Sequence, residues 1–201
     1  MGRGSVDHAT RQKLLDVTVA LMDQMPADDI KVDLVLERTG ITRGSLYHFF
    51  DDFSELLEAA YLARFAQQVE ASASAIRSIV DESANPDEFL SRLEHVTAET
   101  QKAARMPVRF ERARILVKAE NNERFRTALG EVQQRLTDSL TECFATAQAR
   151  GFLNSDFRPR AGAVLIQAYT LGKIVDDITP DPMDADDWNA LISLIARRAL
   201  A

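Results

Sequence analysis

A chain of 201 residues that is 46% hydrophobic, with 8 Gly and 6 Pro, carries enough apolar side chain for one large or two small cores, and is neither linker-rich nor collagen-like. No apolar run reaches the length of about 18 residues that a transmembrane helix needs, residues 1–8 lack the apolar stretch of a secretory signal, and Cys143 is the only cysteine. No intrachain disulfide can form, and a reducing cytoplasm is the expected location. The net charge of −7 excludes coating of nucleic acid by bulk electrostatics, so any contact with a polyanion has to be local.

In chain order, Leu14, Leu15, Thr18, Leu21, Met22 and Met25 recur at helical spacing and predict an amphipathic helix ended by Pro26. After a turn at 26–29, Val32, Val35 and Leu36 predict a short helix over 31–39, closed by Gly40. Thr42 is placed to cap a third helix of about eight residues, roughly 12 Å long, which matches the major groove of B-DNA. From Ser54 the series Leu56, Leu57, Ala60, Tyr61, Phe65 and Val69 predicts a long helix running to about Asp81. Asn85-Pro86 opens the next helix, which Pro107 is expected to interrupt. Val132, Leu136, Leu140, Phe144 and Ala147 mark a long helix that stops at Gly151. Two more follow, one from about Pro159 to Ile178 with Leu165, Ala168, Gly172 and Val175 on one face. The other starts at Asp184 and carries Trp188, Leu191, Ile192, Ile195 and Ala199. No strand pattern occurs, so the expected fold is all-α with about nine helices.

The string Gly40-Ile41-Thr42-Arg43-Gly44-Ser45-Leu46-Tyr47-His48-Phe49-Phe50, followed by an acidic turn and Glu55-Leu56-Leu57-Glu58-Ala59, resembles the head of the tetracycline-repressor-like (TetR) family of bacterial regulators. The likeness covers residues 10–60; beyond them it lies in helix order alone. It implies a helix-turn-helix DNA-binding head over 1–53 and a helical ligand-binding and dimerisation domain over 54–201. By position, Leu46 and Phe50, with Ile41 and Val35, form the packing side of the third helix. Arg43, in its first turn, is the expected base reader, because a guanidinium pairs bidentately with guanine O6 and N7. Gly44 allows close backbone approach, while Ser45, Tyr47 and His48 offer donors to phosphates or base edges. Backbone N–H groups at Thr42 and near Lys31 suit phosphate.

Three positions differ from the family pattern. Phe49 stands where a His is common, with His48 one residue earlier. Phe53, inside Asp51-Asp52-Phe53-Ser54-Glu55, replaces a Lys at the start of the fourth helix, and Lys31 replaces a hydroxylic cap. Residues 1–57 hold Arg3, Arg11, Lys13, Lys31, Arg38 and Arg43 against ten acids, a net of −4. The resemblance implies a sequence-specific DNA-binding regulator, a homodimeric repressor of a palindromic operator released by an unidentified small molecule that shifts the helix beginning at Ser54. No metal, cofactor, membrane or catalytic constellation is expected. The alternative is a helical ligand-binding or scaffold protein whose DNA binding is weakened or lost.

A two-fold interface is expected from Leu165, Ala168, Gly172, Val175, Trp188, Leu191 and Ile195. For an effector pocket the sequence offers Arg109, Arg112, Phe144, Gln167 and Tyr169. Lys102, Arg105, Arg109 and Arg112, spaced at three, four and three residues, are read three ways: as solvated surface, as an anion site, or as partners of Glu99, Glu111 or Glu120. Gln167, Tyr169 and Thr170 either line a pocket or lie on an exposed face. Six Asp between 176 and 187 lack the glycine and terminal Glu of a calcium loop, and are read as a solvated connection with Asp184 capping the last helix. Cys143 is read as a buried structural thiol, and Arg3 as part of a disordered terminus, with an arm reaching a minor groove as the alternative.

Overall fold

The computed structural model describes residues 3–200, with side chains from Asp7 to Arg198; the side chains of Arg3 and Ala199 lie outside those described. It divides into two compact units, Met1–Gln68 and Val69–Ala201, and the division falls inside a helix. The first unit contains α1 (Arg3–Met22), a 3-10 turn (Ala27–Asp29), α2 (Val32–Thr39), α3 (Arg43–Phe49) and the beginning of α4 (Phe53–Glu82). Leu56, Ala60, Tyr61 and Phe65 of α4 are buried, which is why the first unit includes this part of the helix.

Leu14, Leu15, Thr18, Leu21 and Met22 of α1 are buried with Ile30, Val35, Leu46 and Phe50, as the apolar spacing dictates. Thr18 is tolerated there because its hydroxyl donates to Leu14 O at 2.7 Å. The helix ends at Met22, before Pro26: the N–H groups of Gln24 and Met25 both turn back to Leu21 O, at 2.9 and 3.0 Å. Proline disfavours the helical region for its predecessor, so the chain unwinds ahead of it. Lys31 occupies the N-cap of α2 in extended geometry, with no side-chain cap bond. Gly40 closes α2 in the left-handed region at φ 66°, which L side chains rarely adopt.

The second unit holds the rest of α4, then α5 (Pro86–Gln101), a 3-10 turn (Ala103–Arg105), α6 (Met106–Lys118), α7 (Glu123–Ala149), α8 (Pro159–Gly172), the single turn α9 (Ile174–Asp177) and α10 (Ala185–Leu200). Among the described residues every regular element is helical. α7 packs on α8, α5 on α10, and α6 on both α8 and α9. Phe89, Phe125, Leu136, Leu140 and Phe144 fill the core, and Cys143 is buried there, where burial raises its thiol pKa above the ordinary value. Asn85 and Asn122 cap α5 and α7 by accepting from Glu88 N and Phe125 N, each at 2.9 Å.

Two helix ends differ from the sequence reading. The chain already leaves the helix at Lys102 (ψ 145°), and Pro107 sits in the first turn of α6, where its missing N–H costs nothing. The helix expected to run to Ile178 stops at Gly172 and restarts as α9, because Lys173 turns inward. Its Nζ lies 3.5 Å from Asp176 and 3.3 Å from Asp177.

Candidate functional site

In the head, the N-cap of α3 sets the geometry of its first turn. Thr42 accepts from Ser45 N and donates to Ser45 Oγ, both at 3.2 Å, so the half-buried Ser45 is engaged in the cap. Burial of Leu46 and Phe50 then fixes the helix rotation, and Arg43, Gly44, Tyr47 and His48 face outward, Tyr47 at 43% exposure. Ile41 and Phe49 are half-buried, with the Phe49 ring edge-on to His48 at 5.0 Å between centroids. Space around Gly44 is open to 4 Å.

Arg43 is tied by an ion pair to Asp33, ten residues earlier in the first turn of α2. Both side chains are more than half exposed, so the pair contributes little and opens easily. Lys31 Nζ bonds Asp28 O at 3.3 Å. The acidic corner has a structural use: Asp52 accepts from Glu55 N at 2.8 Å and Glu55 accepts from Asp51 N at 2.6 Å, a reciprocal cap that starts α4. Arg11 stacks over the Phe50 ring at 5.1 Å, a cation–π contact that anchors this basic side chain to the core edge.

In the second unit α5, α7, α8, α10 and the 152–157 segment line a partly open cavity of about 290 Å³. Phe144 and Tyr169 line it, together with Thr97, Leu153, Phe157, Ile166, Trp188 and Ile192. Tyr169 OH lies 3.2 Å from Thr97 Oγ1, and burial raises its pKa above the ordinary value against the opposing hydrogen bond. Gln167 lies outside the lining: it bonds Thr137 Oγ1 at 3.2 Å and Ala163 O at 2.9 Å, and accepts from Gln133. Arg109 and Arg112 do not line the cavity either. Arg109 is buried and doubly bonded to Asp177, with Nε–Oδ2 2.5 Å and Nη2–Oδ1 2.8 Å. Burial of Arg112 lowers its pKa from the ordinary value. Of the pairings considered from sequence, Lys102 meets Glu99 at 2.6 Å.

Leu165, Val175, Leu191 and Ile195 are each between 46% and 72% exposed, Ala168 and Gly172 are exposed, and Trp188 is half-buried. Leu165, Trp188, Leu191 and Ile195 also border the cavity, which the sequence pattern did not reveal. No group of three or more His, Cys, Asp or Glu suited to a metal occurs among the described residues, and no described helix is long and apolar enough to cross a membrane.

No family profile and no curated protein matches the sequence. Solved structures do match along nearly the whole chain. GusR of Salmonella enterica is 18% identical over 96% of this chain and 95% of its own, with a TM-score of 0.66. A Mesorhizobium loti protein assigned to the TetR family of transcriptional regulators is 15% identical over 100% and 98%, with a TM-score of 0.67. A TetR-family transcriptional regulator from Agrobacterium tumefaciens is 16% identical over 97% and 100%, at 0.58. The chain has the TetR fold. Within that fold α2 and α3 are the helix-turn-helix, and α8 and α10 carry the exposed apolar face. Sequence reasoning missed Asp33 as the partner of Arg43 and Asp177 as the partner of Arg109, since neither pairing follows a local spacing rule.

Proposed function

We propose that this TetR-fold chain is a sequence-specific DNA-binding transcriptional regulator, a homodimer that reads a palindromic operator and is released by a small molecule bound in its second unit. The observation that carries the reading is the outward face of α3. A Thr42-capped helix exposes Arg43, Gly44, Tyr47 and His48 while Leu46 and Phe50 hold it to the head. One seven-residue helix reads too few bases for genomic specificity, which favours two symmetric heads. The exposed apolar face of α8 and α10 supports pairing of two copies. Arg43 reads guanine after its weak pair with Asp33 opens, Tyr47 and His48 reach phosphate or base edges, and Lys31 and the N–H groups at Thr42 hold phosphate. Release follows when a bound effector favours a different disposition of α4; a coupling of about 1–3 kcal/mol suffices.

A genomic-fragment binding selection at low salt tests the reading. Enrichment of an inverted repeat with half-sites about one helical turn or a multiple apart is expected. Failure to enrich any motif favours the alternative of a ligand-binding or scaffold protein, consistent with the −4 head and with Phe49 and Phe53 at positions where a His and a Lys are common in the family.

A further inference from the structure

The cavity between α5, α8 and α10 has a wall chemistry that narrows what can occupy it. Of its lining residues only Glu94 is charged at neutral pH, and that carboxylate is already paired with Arg197 at 3.0 Å. Arg109, whose guanidinium would receive an anion, is committed to Asp177. The remaining walls are apolar or neutral: Phe144, Leu153, Phe157, Ile166 and Ile192 against Thr97, Tyr169, Ser193 and Asn189. Three lining residues carry buried polar atoms without a hydrogen-bond partner among the described residues: the donor Trp188 Nε1, the acceptor Asn189 Oδ1, and Glu94 Oε1, which has only its ion-pair contact with Arg197. A buried donor or acceptor left unpaired is costly, and an uncharged polar group of a ligand relieves that cost without bringing a second charge into an apolar site.

We infer that this cavity binds an uncharged, largely apolar molecule bearing one or two neutral hydrogen-bonding groups, and that it rejects anions of the same shape. An anion would be desolvated here opposite a carboxylate, with no cation in the wall free to receive it. The inference deepens the effector part of the proposed function and rests on it only for the regulatory consequence.

A matched pair of fluorescent probes tests it: N-phenyl-1-naphthylamine, which is uncharged, and 8-anilino-1-naphthalenesulfonate, which has the same ring system with a sulfonate. Each is titrated into the full chain and into two cavity-filling variants, Ala196→Leu and Ser193→Leu, whose folding is checked by thermal melts. Binding at the cavity is the component of the signal that both folded variants lose. The uncharged probe is expected to show such a component with an affinity at least about tenfold above that of the sulfonate, because an unpaired buried charge costs more than 1.4 kcal/mol. The inference is overturned if the uncharged probe binds equally well to both variants, or if the sulfonate shows an equal cavity component. Cavity binding of the uncharged probe without any loss of operator binding supports the ligand class and removes release by ligand from the proposed function.

Discussion

Replacing Arg109 with Met keeps much of the side chain's volume but removes a guanidinium that is 3% exposed from a partner, Asp177, that is 6% exposed. Two charge-assisted hydrogen bonds at 2.5 and 2.8 Å disappear, with a third from Nη1 to Thr100 O at 3.2 Å. Removing one member of a buried ion pair costs about 3–5 kcal/mol, since the other charge stays desolvated. Lys173 Nζ, 3.3 Å from Asp177, retains part of the compensation, so the lower end of roughly 3 kcal/mol is expected. At about 2–4 °C per kcal/mol for a chain of this size, the melting temperature should fall by roughly 6–12 °C. Burial alone pushes the Asp177 carboxyl up, but the hydrogen bonds and charges of Arg109 and Lys173 outweigh it and hold the group below the ordinary carboxylate value. A carboxylate depressed in this way contributes stability that is fully present above its unfolded pKa of about 3.9 and is lost as pH falls through the lower folded value. The wild-type chain should therefore lose stability on that acid limb, and Arg109→Met should flatten it. Circular-dichroism melts from neutral to acid pH on Arg109→Met, Asp177→Asn and the double variant measure both effects. A loss under about 1 kcal/mol, or strictly additive losses, would refute the buried-pair reasoning.

Three further outcomes follow from particular contacts. Asp33→Asn frees Arg43 and removes a negative charge beside the DNA face; tighter binding to all duplexes is expected in fluorescence anisotropy, and unchanged affinity would show that the pair is irrelevant on DNA. Thr42→Ala removes the cap from Ser45 N and should cost about 0.5–2 kcal/mol in a denaturant titration while weakening DNA binding; no change in either discards the cap as an organiser of α3. A Cβ on Gly162 would overlap the Phe157 ring, which packs edge-on against Phe144 at 5.5 Å. Gly162→Ala should cost about 1–3 kcal/mol and weaken uncharged-probe binding, and a silent variant would mean that this cavity wall yields freely.

The head was legible because its signals are local. Thr42 before a short helix, Gly40 at a left-handed position, and Leu46 with Phe50 one turn apart each act within a few residues. The long helices were legible for the same reason, since the buried positions of α4 and α7 recur at three- and four-residue intervals. What escaped were contacts between residues distant in sequence. Arg109 and Asp177 are 68 residues apart, and burial of that pair is what moves Arg109 away from any ligand. The end of α4 is satisfied by Arg150, which donates to Val80 O and, at 2.6 Å, to Ser83 O while stacking on Phe152. The acidic corner was read as a loss of DNA contacts, although Asp52 and Glu55 also form the cap of α4. The cavity could not be read from spacing, because Leu165, Trp188, Leu191 and Ile195 fit an apolar interface stripe and a cavity wall equally well.

The central claim is that an acidic head reads DNA sequence through the outward face of α3. Its most direct measurement is the ratio of dissociation constants for the enriched duplex and a scrambled duplex at one fixed salt concentration, for the wild-type chain, Arg43→Ala and Lys31→Ala. The account predicts a wild-type ratio of about 10³ or more, a reduced ratio for Arg43→Ala through loss of preference at one base per half-site, and weaker binding at an unchanged ratio for Lys31→Ala. A wild-type ratio near one, or an Arg43→Ala ratio equal to that of wild type, would contradict it.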